Sequence, residues 1–182
     1  MLNKVDEKDL DSYKDIVDGY SLTGYKVLCM SAIEGYNLDA LKELLQDRTS
    51  FFAGPSGVGK STLLNAIEPD LKLQTGAVST KIKRGKHTTR HVELLPLKTM
   101  SGFVLDTPGF TSLQFEEIEH DLLKDYFIEF HKYEGECKFN GCSHIHEPKC
   151  AVKDAVEKGN IYLPRYNNYV TYYNQLKDIR RW

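Results

Sequence analysis

The run Gly54-Pro55-Ser56-Gly57-Val58-Gly59-Lys60-Ser61 satisfies the pattern GxxxxGK[ST] at every fixed position. Residues of these types in this order can hold a chain of phosphates. The glycines let the backbone curl with its N–H groups pointing inward, where they donate to phosphate oxygens together with the positive end of the following helix. Lys60 is placed to reach the outer phosphates and the Ser61 hydroxyl to bind magnesium, with Thr62 completing the nucleotide-binding set. Asn3-Lys4-Val5-Asp6 has the form NKxD. A carboxylate in a base pocket accepts from the ring N–H and exocyclic amine of guanine, whereas adenine would set a lone pair against it. Asp106-Thr107-Pro108-Gly109 fits DxxG, in which the aspartate holds magnesium through water and the glycine N–H meets the terminal phosphate.

A second constellation is of another kind. Cys137, Cys142, His144 and Cys150 are spaced C-x4-C-x-H-x5-C on a loop-like background with Gly141 and Pro148. Three thiolates and one imidazole close a tetrahedral zinc site with no open position, so the metal is expected to be structural. His146 competes with His144 as the nitrogen donor.

These residues need elements to position them. Residues 49–53 (TSFFA) predict a strand entering the phosphate loop, and residues 61–67 a helix leaving it with Leu63, Leu64 and Ile67 on one face. Upstream, residues 7–19 place Leu10, Tyr13, Ile16 and Val17 at helical spacing, and residues 25–30 (YKVLCM) read as a strand. That strand ends at Ser31-Ala32, the position at which GTP-binding proteins carry the loop whose backbone N–H meets the guanine oxygen. Asn37 predicts an N-cap for a helix through Asp47 with Leu38, Leu41, Leu44 and Leu45 inward. Downstream of the phosphate loop, residues 76–91 form a basic, glycine-punctuated loop containing His87, Thr88, Thr89 and Arg90. A threonine there can reach magnesium and the terminal phosphate; the adjacent pair leaves the choice open, with Thr89 taken as the magnesium ligand beside Ser61. Residues 91–97 and 101–105 predict a strand pair leading into Asp106. Residues 116–130 carry Ile118, Leu122, Leu123, Tyr126, Phe127 and Phe130 at helical spacing and predict a packing helix. Residues 151–158 predict a helix closed by Gly159. A last helix is expected from Pro164 to Ile179, with Tyr166, Tyr169, Val170, Tyr173 and Leu176 inward as core rather than as a base-stacking platform.

With 182 residues the chain can bury a core of its own, and its net charge of −2 calls for neither nucleic acid nor membrane. The distribution is uneven, since residues 71–92 contain no acidic side chain but include Lys72, Lys81, Lys83, Arg84, Lys86 and Arg90. That stretch is a candidate contact for RNA phosphate. The first residues lack a signal-peptide core and no run approaches a membrane span, so a cytoplasmic protein is expected.

The motifs occur in the order NKxD, SA, GxxxxGKS, Thr, DxxG, whereas ordinary GTPases place the phosphate loop first. This permuted order, the segment GKHTTR, DTPG and the cysteine–histidine cluster with its HEPKCAV continuation closely resemble the ribosome small subunit-dependent GTPase A family (RsgA, YjeQ or YloQ type). The resemblance implies an α/β fold: a circularly permuted P-loop GTPase, with a Rossmann-like sheet flanked by helices, over residues 1–115, and a small helical zinc-binding domain over residues 116–182. It implies GTP hydrolysis in late maturation of the small ribosomal subunit, stimulated by that subunit and its rRNA, with magnesium beside the nucleotide, one zinc per chain, and a monomer in the cytoplasm. Family members carry an OB-fold domain ahead of the GTPase. Only Met1 and Leu2 precede NKVD, so the reading expects a fragment whose upstream strand and OB-fold lie outside the sequence. Phe110 follows DTPG where many GTPases have a glutamine, and a phenylalanine cannot orient water. His87 matches the histidine regarded as catalytic in the family. A nucleotide-gated rRNA-binding module with negligible hydrolysis of its own is the alternative reading, and an ATP-using phosphotransferase is disfavoured by NKxD.

Overall fold

The computed structural model describes residues 1–73, 93–106 and 118–179. The chain divides into two compact units, one of Met1–Ser12 with Leu28–Leu113 and the other of Tyr13–Val27 with Gln114–Trp182. Tyr13–Val27 thus groups with the residues after the GTPase motifs, although it precedes the phosphate loop in the chain.

In the first unit a three-stranded sheet has the order β1 (Arg48–Phe51), β3 (Gly102–Asp106), β2 (Glu93–Pro96). β1 runs parallel to β3 with Phe51 opposite Leu105, and β2 runs antiparallel to β3 with Leu94 opposite Leu105. Alternation along the strands sends Phe52, Val104 and Leu97 to one face, where all three are buried. Two helices cover that face. α2 (Leu38–Leu45) buries Leu41 and Leu45, and α3 (Lys60–Ile67) buries Leu63, Leu64 and Ile67, all in one cluster with Leu28 and Met30. Each such side chain contributes about 1.5–3 kcal/mol by leaving water. Glu68, itself buried, accepts from the Thr99 N–H at 2.8 Å and the Thr99 hydroxyl at 3.0 Å, which ties the end of α3 to the β2–β3 turn.

The strand expected at residues 25–30 is reduced to one parallel bridge between Leu2 and Cys29, closed by Leu2 N–H to Leu28 O at 2.8 Å and Met30 N–H to Leu2 O at 2.9 Å. The ladder stops because Lys4 turns into the left-handed region, φ 67°, and leads into the 3-10 turn Val5–Glu7. Asn37 stands at the N-cap of α2 as expected, but it is left-handed, φ 58°, and makes no side-chain capping bond; its carboxamide donates to Cys29 O at 2.8 Å instead. Short polar side chains tolerate that conformation, so one residue type serves both roles.

In the second unit, α1 (Lys14–Ser21), α4 (Ala151–Glu157) and α5 (Leu163–Asp178) accompany two 3-10 helices, His120–Tyr126 and Ile128–Tyr133. The latter pair stands where one α-helix was expected, since a threefold and a 3.6-fold repeat look alike over so few turns. Phe127 separates them with a non-helical backbone, φ −101° and ψ 81°, and Leu123, Phe127 and Phe130 are buried while Leu122 and Tyr126 are exposed. Tyr169 of α5 is fully buried, its ring set edge-on to Phe127 and Phe130 at 5.1 and 5.0 Å. Arg165 forms a two-pronged pair with the buried Glu129 and lies over the Phe127 ring at 4.7 Å. α4 ends as expected at Gly159, φ 74°, whose neighbour Asn160 donates back to Ala155 O at 2.8 Å.

Candidate nucleotide and metal sites

The phosphate loop leaves the carboxyl end of β1, and Asp106 ends β3, the parallel strand beside it. Loops outside the carboxyl ends of adjacent parallel strands are where α/β sheets bind nucleotides. Gly57 and Gly59 lie at φ 83° and 89°, a region closed to most side chains, and Gly59 opens α3. Lys60 Nζ donates to the carbonyls of Gly54 and Pro55, both at 2.7 Å, so its ammonium is held across the loop. Ser61 and Thr62 follow in the first turn of α3, and Ser56 lies exposed in the loop.

The Asn3–Asp6 segment comes to this loop. Asn3 Nδ2 donates to Val58 O at 2.9 Å, and among the described residues Asn3 Oδ1 is buried with no hydrogen-bond partner. Val5 N–H donates to Met30 O at 3.2 Å, placing the NKVD turn beside Ser31-Ala32. Asp6 is exposed in that turn, while Lys4 pairs with Glu7 at 3.3 Å. Ser31 is buried; its hydroxyl accepts from Glu34 N–H at 3.1 Å and its own N–H donates to Tyr36 O at 3.2 Å. The Ser61 hydroxyl stands in the first turn of α3, and the backbone of Asp106 ends β3. His87, Thr88, Thr89, Gly109 and Phe110 lie outside the described residues, as does the basic run Lys81 to Arg90.

In the second unit the ligand atoms of Cys137, Cys142, His144 and Cys150 all lie within 4.8 Å of one another. Cys137 Sγ is 3.6 Å from His144 Nδ1 and 3.9 Å from Cys150 Sγ, and His144 Nδ1 is 3.3 Å from Cys150 Sγ. A regular tetrahedron of zinc–sulfur bonds near 2.3 Å has edges of about 3.8 Å, so these donors fit zinc. None of the cysteines is in a disulfide. Burial pushes the Cys142 thiol up to about 12, so it ionises only where a cation compensates the thiolate. Burial, with the Lys124 ammonium, lowers the His144 pKa and keeps the imidazole in its neutral, ligating form. The convergence selects His144; His146 is exposed and stands outside the cluster.

The loop carrying these ligands is held from behind. Tyr166 and Tyr169 of α5 donate their hydroxyls to His144 O at 2.7 Å and Ser143 O at 2.6 Å. Glu147 accepts from Ser143 N–H and hydroxyl at 2.8 and 2.7 Å and from Ile145 N–H at 3.2 Å. Burial opposes its charge, but these donors prevail and bring the Glu147 carboxyl down to about 2. Sequence reasoning missed all three as supports. The available signal was only that a buried tyrosine hydroxyl needs an acceptor; which carbonyls supply it, 22 and 26 residues away, no local pattern states.

The family model for RsgA GTPase matches residues 1–116. The chain belongs to the RsgA GTPase family. It is 46% identical over 181 residues to the small ribosomal subunit biogenesis GTPase RsgA of Alkaliphilus metalliredigens, covering 100% of this chain and 62% of that relative. To the RsgA of Geobacillus kaustophilus it is 50% identical over 181 residues, covering 98% and 61%. Among solved structures, YjeQ from Thermotoga maritima superposes with a TM-score of 0.77 at 38% identity, over 98% of this chain and 59% of that one. YloQ, described as a circularly permuted GTPase, gives 0.75 at 38% identity, over 99% and 57%. The chain therefore spans about three fifths of the length of the RsgA relatives it matches. Its fold is that of a circularly permuted P-loop GTPase followed by a small helical unit with a zinc-type site. Among the described residues no helix is long and apolar enough to cross a membrane.

Proposed function

We propose that this chain binds guanine nucleotide and hydrolyses GTP to GDP and phosphate in late maturation of the small ribosomal subunit, stimulated by that subunit. The observation that carries the reading is the pair of hydrogen bonds from Asn3 to Val58 and from Val5 to Met30. Through them the guanine motif, Ser31-Ala32 and the phosphate loop meet despite their permuted order. The names of the RsgA relatives support the ribosomal role.

In this reading Asp6 accepts from the guanine edge, and Ala32 with Ser31 lines the base. Asn3, whose buried Oδ1 has no partner among the described residues, braces the base side against the phosphate loop. The N–H groups of residues 54–62 and Lys60 hold phosphate oxygens. Ser61, Asp106 and Thr89, or Thr88 in its place, are the oxygens that hold magnesium, which offsets phosphate charge when bound. Gly109 presents its N–H to the terminal phosphate. His87 orients the attacking water, since Phe110 cannot. Cys137, Cys142, His144 and Cys150 hold zinc as a structural ion, with the nucleotide chemistry in residues 1–115 and the metal in residues 116–182. The protein acts as a cytoplasmic monomer, and residues 81–90 contact rRNA phosphate.

Single-turnover hydrolysis with and without small subunits tests the reading. Slow turnover alone and marked stimulation by the subunit are expected. No turnover in either condition, or displacement of GTP by equimolar ATP, overturns it.

A further inference from the structure

Ser31 and Ala32 open a loop that the core of the first unit holds only at its base. Ser31 is buried, but Ile33 and Tyr36 are 75% and 44% exposed, and a Cβ on Gly35, φ 71°, would meet no atom within 4 Å. Apolar packing therefore does little to fix residues 33–36, and hydrogen bonds carry the loop's shape. Two of them close it on itself, Glu34 N–H to the Ser31 hydroxyl at 3.1 Å and Ser31 N–H to Tyr36 O at 3.2 Å. A third ties its far end to the rest of the unit, because Asn37 Nδ2 donates to Cys29 O at 2.8 Å. Cys29 is also the residue that bridges Leu2, directly ahead of Asn3, and Val5 N–H returns to Met30 O at 3.2 Å. The NKVD turn and the Ser31–Tyr36 loop thus spring from one bridge, and Asn37 brings the second loop back to it. The Asn37 carbonyl meanwhile accepts from Leu41 N–H at 3.2 Å, so the same residue joins the loop to α2, which is anchored by buried Leu41 and Leu45. Glycine, asparagine and aspartate tolerate φ 58°, and of these asparagine alone carries a side-chain N–H for a carbonyl.

We infer that Asn37 is a positioning residue for guanine: its carboxamide holds the Ser31–Tyr36 loop to the Leu2–Cys29 bridge, so that this loop and the NKVD turn address one base. The inference rests on the guanine reading above. Without the carboxamide the loop must be ordered when the base arrives, and affinity falls although no contact to the base has been removed. The phosphate loop, residues 54–61, has no part in the Asn37 contact, so the loss falls on the base-dependent share of binding.

The test uses the full, zinc-loaded chain with Asn37→Asp and Asn37→Gly, both of which tolerate the left-handed backbone. Aspartate still suits the positive end of α2 but offers Cys29 O no donor. GDP affinity is expected to fall about threefold to tenfold in both variants, the range of one lost hydrogen bond, while affinity for inorganic pyrophosphate stays at the parent's value. GDP affinity equal to the parent's in Asn37→Asp overturns the inference, since it leaves Asn37 only the start of α2 to serve. An equal fall for GDP and pyrophosphate overturns it as well, by marking general loosening. ADP, titrated against the parent chain, separates the two readings: a parent that binds ADP as tightly as GDP refutes the guanine reading itself, and the inference with it, whereas a parent that prefers GDP and variants that keep its affinity refute the inference alone.

Discussion

Asn3 Nδ2 stands 2.5 Å from where a Cβ on Gly59 would lie, while it donates to Val58 O at 2.9 Å. The first polar residue of the guanine motif and the last glycine of the phosphate loop are therefore fitted to each other. Gly59→Ala meets two penalties, a side chain at φ 89° and a collision with Asn3. It should cost about 1–3 kcal/mol of stability. GDP affinity should fall at least tenfold, read by titration, while zinc content stays intact. An alanine variant that binds and melts like the parent would show that Asn3 and Gly59 are not fitted to each other.

Asp6 is exposed in the turn that Val5 ties to Met30, and in the proposed reading its carboxylate accepts from the guanine edge. Asp6→Asn replaces a carboxylate acceptor by a mixed donor and acceptor, and a hydrogen bond to a charged group contributes about 1.5–3 kcal/mol. GDP affinity should drop tenfold or more, and a xanthine nucleotide should gain relative to guanine. Competition between the two nucleotides measures the ratio, and an unaltered ratio marks the motif as a surface turn.

Loss of one zinc ligand should cost more than the side chain itself, because an ion held by these four converging donors would cross-link the loop from Cys137 to Cys150, the N-cap of α4. Cys142→Ser and His144→Ala should each lose zinc and lower the melting temperature, whereas His146→Ala should retain both. Metal analysis beside calorimetry checks this. Retention of zinc by His144→Ala together with its loss from His146→Ala would reverse the assignment.

Glu147 gives a pH dependence with a defined sign. Its carboxyl stands at about 2 in the folded chain against an ordinary value of 4.5, so the folded state binds its proton less readily than the unfolded state. The stabilisation is complete above pH 4.5, falls as pH drops through that value, and is lost near pH 2. Because the group is only partly buried, about 1–2 kcal/mol is expected after solvent screening. Glu147→Gln should lower stability at pH 7 by that amount, and the difference from wild type should vanish at acid pH. A difference that stays constant from pH 7 to 3 would exclude a charged role.

The chemistry was more legible in the sequence than the packing around it. Motifs such as Gly54 to Ser61 and Cys137 to Cys150 depend on residue identity at fixed spacing, which survives without coordinates. The helical period over residues 116–130 did not separate an α-helix from two 3-10 helices, because Phe127 breaks the run by backbone conformation rather than by residue type. Asn37 was legible as the N-cap of α2, but not the use of its side chain, which at φ 58° reaches Cys29 O and makes no capping bond. Contacts such as Tyr169 to Ser143 or Asn3 to Val58 join residues far apart in the chain, and no local pattern encodes them. The grouping of Tyr13–Val27 with the metal-bearing unit belongs to the same class.

The sheet order β1-β3-β2 also sets a sequence of events during synthesis. β1 and β2 each pair with β3 and not with each other, yet β3 is the last of the three to be made. A nascent chain that has emerged only as far as Ser101 already contains NKVD, Ser31-Ala32 and the whole phosphate loop, but β1 and β2 still lack their shared partner. Non-local pairing of this kind is slow, and unpaired edges wait exposed until it happens. The central strand thus closes the sheet in one late step, so a chain stalled before Gly102 carries every nucleotide motif except DTPG without the sheet that positions them.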